Sequence, residues 1–333
     1  MLGLTVYFSI SRSDDKSKND RIGKGLKEDS PLFLKAATAA LPLLAEVRSK
    51  STIDNYRTAL RSFSHYLEED VRVSSIDAHL LEGYQLWLIN HQVTQNTISC
   101  YMRSLRSLLH HLLPELKQLP TFAAVFTGKM PTDKRSIRLA DIVKLHELQL
   151  RSHTSLKFSL DMFLFSFYAL GMPFVDIAFL KKRQMNDGYI IYHRHKTGQR
   201  IRIKIEPPMQ QIINRYFQKE GPFVFPILST ENRKKMMIEY ENARTRYNRH
   251  LKKIGTLAGI RRPLTSYVAR HSWASLAFHS NVDISVISKA LGHTSPNTTL
   301  TYLREIDDHR IDTANHLLLE EVSKALSQIN TKG

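Results

Sequence analysis

Between Leu32 and Phe126, apolar residues recur at the three-and-four spacing of amphipathic helices. The first run predicts a helix over Leu32 to Val47. The second, Thr52 to Glu68, aligns Ile53, Tyr56, Leu60, Phe63 and Leu67 on one side, with Arg57 and Arg61 on the other. A third covers Ser75 to Ile89 through Ile76, Leu80, Tyr84, Trp87 and Leu88. A fourth covers Gln95 to Leu113, with Thr94 placed to cap it and Pro114 to stop it. Four such helices joined by short loops imply one helical domain.

The pattern continues beyond a polar gap. Leu139 to Leu150 and Leu156 to Leu170 are again helix-periodic. Met162 to Leu180 is apolar enough to imitate a membrane span, but it contains Asp176 and breaks at Gly171-Met172-Pro173, which predicts a buried helix ending near Leu170. The β pattern then appears. Tyr189 to Arg194 runs through Lys196-Thr197-Gly198 into the strictly alternating Arg200-Ile201-Arg202-Ile203-Lys204-Ile205, a hairpin with isoleucines inward, basic residues outward and Lys196 at its tip. Residues 209–218 and 231–254 read as helices, the second strongly basic and including Arg246 and Arg249.

The segment from Leu264 to Arg304 has its own punctuation. Thr265 and Ser266 read as the N-cap of a helix that places Tyr267 and Arg270 on one face and closes at Asn281 and Val282. Ile284 to Leu291 is a short helix stopped by Gly292 as a left-handed cap, with His293 directly after it. Pro296 and Asn297 make a turn, and Tyr302 follows. A last apolar stripe, Ile311 to Ile329, suits either docking on a neighbouring copy or packing on its own domain.

Read together, these patterns divide the 333 residues into a polar arm (1–30), a helical domain (31–126), a basic linker (127–138) and a second domain (139–333). Charge adds a partner. Lys and Arg outnumber Asp and Glu by 48 to 31, so the chain carries +17 and favours a polyanion. Arg57, Arg61, Arg103, Arg106, Arg135, Arg246 and Arg249 are candidate DNA contacts; each of the first four equally suits a solvated helix face. The single cysteine, Cys100, excludes an internal disulfide and fits a reducing cytoplasm. The first ten residues lack the basic start and cleavage site of a secretory signal. The histidines show no zinc spacing and no Gly-rich phosphate loop appears, so no metal or nucleotide cofactor is expected.

Ala269-Arg270-His271, Leu291-Gly292-His293, Thr298-Thr299 and Tyr302, nine residues after His293, together resemble the signature of the tyrosine recombinases, the phage integrase family. The resemblance implies a mainly α fold with a small β-sheet, in which a four-helix, SAM-like core-binding domain precedes the catalytic domain. It implies Tyr302 as nucleophile forming a 3′-phosphotyrosine, Arg270 and His293 at the phosphate, and Lys196 as acid to the leaving 5′-oxygen. It also implies double-stranded DNA with inverted-repeat sites as substrate, a homotetramer, and a cytoplasmic place on the bacterial nucleoid.

Two positions depart from the family pattern. Tyr267 stands where a histidine is usual, and Pro173 fills the slot of the first arginine. Arg194, two residues before Lys196, is the candidate to replace that arginine. A DNA-binding protein without catalysis and a type IB topoisomerase are the alternative readings.

Overall fold

The computed structural model describes residues 30–130, 136–151, 154–295, 299–300, 315–316 and 319–320. The chain divides into two compact units, Met1–Thr132 and Asp133–Gly333. Of the expectations above, those on the polar arm up to residue 29, on Arg135, on Pro296 and Asn297, on Thr298 and on Tyr302 lie outside the described residues. So does most of the Ile311 to Ile329 stripe. No helix among the described residues is long and apolar enough to cross a membrane.

The first unit is helical. It contains α1 (Phe33–Val47), α2 (Lys50–Tyr66), α3 (Ala78–Asn90) and α4 (Gln95–Leu112). Their inward faces meet in one core, where Phe33, Phe63, Tyr84, Leu88, Ile98 and Met102 are fully buried. Buried hydroxyls are satisfied inside it: Tyr84 donates to Ser62 Oγ at 2.8 Å, and Tyr56 pairs with Ser107 at 2.7 Å.

Helix starts differ from the periodic reading by a few residues. The third helix begins after Asp77, whose carboxylate accepts from Leu80 N, because Val73–Ser75 forms a separate 3₁₀ turn. Thr94 does occupy the N-cap of α4, but its hydroxyl pairs with that of Thr97 rather than with the backbone. The start of α1 is capped from a distance, Asp70 accepting from both Leu34 N and Lys35 N.

Both ends of the basic linker are tied down. Met130 exchanges two hydrogen bonds with the Asn96 side chain, and Ile137 N donates to the buried Ser272 Oγ at 2.9 Å.

The second unit comprises α5 (Leu139–Glu147), α6 (Ser155–Tyr168), α7 (Phe174–Ala178), β1 (Met185–Asn186), β2 (Tyr189–His193), β3 (Arg200–Lys204), α8 (Pro207–Tyr216), α9 (Arg233–Leu257), α10 (Val268–His279) and α11 (Ile284–Ala290). Helix α6 is buried along most of its length, which accounts for its membrane-like composition. The three strands form an antiparallel sheet in the order β1-β2-β3, with Ile190 opposite Ile203 and Tyr192 opposite Ile201. Those four side chains are buried, while Arg200, Arg202 and Lys204 are exposed, as alternation requires. Strand β1 and helix α7 carry too few residues for a period to show.

Candidate active site

Four separate stretches meet around two arginines. Helix α6 ends at Tyr168, and the chain reverses through Leu170 (φ 58°) and the buried Gly171 (φ 71°). Helix α10 brings Arg270 to that turn: Nη1 donates to Gly171 O at 3.0 Å, and Nη2 donates to Leu291 O. The approach is so close that a Cβ on Gly171 would stand 2.8 Å from Arg270 Cα. From the far end of β2, Arg194 donates through Nη1 to the same Leu291 carbonyl at 2.8 Å and to Gly292 O at 3.1 Å.

Gly292, with φ 61°, caps α11 as its sequence position predicts and makes room for Arg194, whose Cδ would lie 3.1 Å from an added Cβ. Two guanidinium groups, 2% and 6% exposed, therefore share one acceptor.

His293 completes the group. Its Nε2 lies 3.2 Å from Arg270 Nη2, and its Nδ1 lies 2.8 Å from the hydroxyl of Thr299, which is fully buried. Burial, reinforced by Arg270, Arg194 and Lys196, lowers the imidazole pKa to about 4, so it is neutral at pH 7. Lys196 is placed by its neighbours: Arg194 binds Gly292 O from one side and Thr197 Oγ1 from the other, at 3.1 Å, stitching the hairpin turn onto the segment that carries His293. Its own side chain is exposed.

The negative charge in this neighbourhood belongs to Asp176 on α7. It is 4% exposed, and Oδ1 accepts from His195 N at 2.9 Å, so it clamps the turn that bears Lys196. Burial holds its carboxyl above the usual carboxylate range despite the opposing pull of Arg194, His195 and Arg270. Cations outnumber the carboxylate. A buried site with an excess of guanidinium is built to receive an anion, because isolated buried charge is strongly disfavoured.

Other expected positions fall differently. Tyr267 is 42% exposed, whereas Arg270 is buried, and the Tyr267 ring stands 6.1 Å from that of His271. The expected N-cap at Thr265 and Ser266 is also displaced. Helix α10 starts at Val268 with Tyr267 already in helical backbone geometry and no side-chain cap. Arg270 is consequently the third residue of the helix, inside its first turn. Arg57, Arg61, Arg103, Arg246 and Arg249 are exposed and Arg106 is half-buried. Arg57 pairs with Asp54 at 3.1 Å, and Arg103 donates from Nε to Ser99 O at 3.2 Å.

Periodicity did not single out Gly171, and the partners of Thr197 and Thr299 were not foreseen. The one available signal was the left-handed turn implied by a glycine directly after the helix.

The arrangement has counterparts. Residues 138–309 match the phage integrase family, just over half of the chain, and residues 33–111 match the phage integrase SAM-like domain. The chain belongs to the phage integrase family of tyrosine recombinases. A tyrosine recombinase of Thermosipho africanus is 25% identical to it over 292 residues, covering 82% of this chain and 96% of that protein. The tyrosine recombinase XerA of Pyrococcus furiosus is 29% identical over 147 residues, 43% of this chain and about half (49%) of XerA. Among solved structures, a lambda integrase tetramer bound to a Holliday junction has the same fold, with a TM-score of 0.61 at 14% identity, covering 89% of this chain and 88% of that one.

Proposed function

We propose that this chain is a site-specific DNA recombinase that cuts and rejoins duplex DNA through a 3′-phosphotyrosine at Tyr302. The observation that carries the reading is the pair of buried guanidinium groups, Arg194 and Arg270, converging on Leu291 O beside a neutral His293. A phosphodiester brings a single negative charge and two non-bridging oxygens, which two guanidinium groups can bind as charge accumulates at phosphorus.

In this reading Arg194 takes the part of the arginine whose slot holds Pro173. Pro173 itself is the N-cap of α7, with its ring in no position to donate a hydrogen bond. Arg270 is the second guanidinium, and Lys196 protonates the leaving 5′-oxygen. Tyr267, exposed at the mouth of α10, contributes at most a phenolic hydrogen bond to DNA.

The phosphotyrosine link conserves the energy of the broken phosphodiester, so rejoining calls for no nucleotide, and none of these roles calls for a metal. Arg57, Arg61, Arg103, Arg106, Arg135, Arg246 and Arg249 would follow the phosphate backbone. By likeness to the lambda integrase tetramer, four copies would act on two sites. Incubation with a nicked suicide duplex tests the reading: a covalent adduct that disappears in Tyr302→Phe supports recombination. DNA binding without an adduct would favour an architectural protein, and relaxation of any supercoiled plasmid would favour a type IB topoisomerase.

A further inference from the structure

Away from the two arginines, the second unit holds a cavity of about 480 Å³ between the start of α6, the end of α8 and the middle of α9. That is the size of a small-molecule site. Its walls carry two aromatic pairs. Phe158 meets Tyr216 edge-on at 4.9 Å, and Phe174 stacks on Tyr247 at 4.2 Å, while Ile227 and Ala243 add apolar surface.

Most polar groups around this cavity already have partners. The Tyr216 hydroxyl donates to Asp161 at 2.7 Å, and that carboxylate is matched by Arg215 and Lys157. Thr154 Oγ1 donates to Arg151 O at 2.9 Å and accepts from Lys157 N at 3.2 Å. Ser159 Oγ donates to Ser155 O at 2.9 Å and lies 2.8 Å from His250 Nδ1.

What is left over is rich in donors. Arg246, exposed and lining the cavity, pairs with no carboxylate among the described residues. Ser155 is the first residue of α6, whose leading N–H groups form the positive end of the helix dipole. Tyr247, 3% exposed, has a hydroxyl without a partner among the described residues. Burial raises its pKa, so the phenol stays a donor in want of an acceptor. No carboxylate lines the cavity.

We propose that this cavity binds a small planar aromatic carboxylate, its ring held among the aromatic side chains and its anionic end received by Arg246 and the start of α6. A flat ring covers the flat walls and removes apolar surface from water. The single charged side chain on the wall is a guanidinium, whose fork matches a carboxylate. The inference is independent of the recombinase reading, since it needs neither DNA nor Tyr302.

The test is calorimetric titration of the full-length chain with 2-naphthoate, and with 2-naphthalenemethanol as its uncharged counterpart. Arg246 is also a candidate DNA contact, so no DNA is added. The acid should bind with a Kd of about 1 mM or tighter, and the alcohol about 10-fold more weakly. Arg246→Gln should bring the acid to the level of the alcohol and leave the alcohol unchanged. Ala243→Leu, which fills the cavity, should weaken both about 10-fold or more. The Ile227 methyl resonance, assigned with Ile227→Val, should move as the wild type is titrated, and it fixes the place of binding should circular dichroism show Ala243→Leu misfolded.

The proposal is overturned if 2-naphthoate does not bind, or if it binds a folded Ala243→Leu as well as the wild type, the result expected of adsorption to a basic surface. Equal affinity for acid and alcohol overturns the assignment of an anionic ligand. An Ile227 methyl resonance that stays still during the titration overturns the site.

Discussion

In the proposed reading Arg194 replaces the family's first arginine, and its bonds to Leu291 O and Gly292 O set a sharp expectation. Arg194→Ala should lower the cleavage rate by about 10²-fold or more, as removal of one preorganised donor does, or about 3 kcal/mol. Arg194→Lys should restore little of it, because an ammonium cannot reproduce the fork that spans Leu291 O and Gly292 O. Single-turnover kinetics on a suicide duplex reads both; a normal rate in Arg194→Ala removes the assignment.

His293 makes a pH prediction of definite sign. Its pKa falls from 6.5 to about 4 on folding, so the unfolded chain binds the extra proton first. The contribution of His293 to stability is whole above about pH 6.5, is lost as pH falls toward 4, and changes no further below. Thermal melts of the wild type and His293→Gln across that window should therefore converge as the solution is acidified. A constant gap between them would contradict the assigned environment.

At the scale of elements, the helix-ending turn at Gly171 and the α11 cap at Gly292 are what admit the two arginines. Gly171→Ala combines an unfavourable positive φ with a Cβ at 2.8 Å from Arg270 Cα, so it should lower stability by about 1–3 kcal/mol and impair cleavage more than an equally destabilising core substitution. Chemical denaturation alongside cleavage kinetics separates the two effects. A second element, α6, is fixed through Asp161, 1% exposed, which accepts from Arg215 at 2.6 Å and Tyr216 at 2.7 Å and pairs with Lys157 at 3.1 Å. Asp161→Ala strands those partners and should cost about 2–3 kcal/mol in a urea melt, with the first unit unaffected.

The helices, the hairpin and the cap at Gly292 were legible because each is written in a local period or a punctuating residue. Helix ends were less so: α5 stops at Glu147 although Leu148 and Leu150 continue the apolar pattern. The pairing of Arg194 with Arg270 through Leu291 O joins residues far apart in the chain, and no local pattern encodes a shared carbonyl. Only the empty arginine slot at Pro173 and the basic residue near Lys196 hinted at it. Tyr267 marks the limit of the cap reading: its backbone is already helical, with His271 N donating to its carbonyl, so the start of α10 carries none of the side-chain capping that Thr265 and Ser266 suggested.

For the whole molecule, +17 of net charge predicts DNA affinity that falls steeply with salt. Exchanging Arg57 and Arg61 together for alanine should flatten the logarithmic salt dependence by about 1–2, each lost phosphate contact contributing about 0.9. Filter binding or fluorescence anisotropy over a salt series measures it, and an unchanged slope would return both residues to the role of solvated helix faces. None of these surface effects reaches the proposed chemistry, in which one phenol meets the cluster of Arg194, Arg270, Lys196 and His293. The most direct measurement is the attachment point of DNA trapped on a suicide duplex, read by mass spectrometry of the digested adduct. The account predicts a 3′-phosphoryl link on the peptide containing Tyr302, absent in Tyr302→Phe and strongly reduced in both Arg194→Ala and Arg270→Ala. An adduct on another residue, or none under conditions where the DNA is bound, would contradict it.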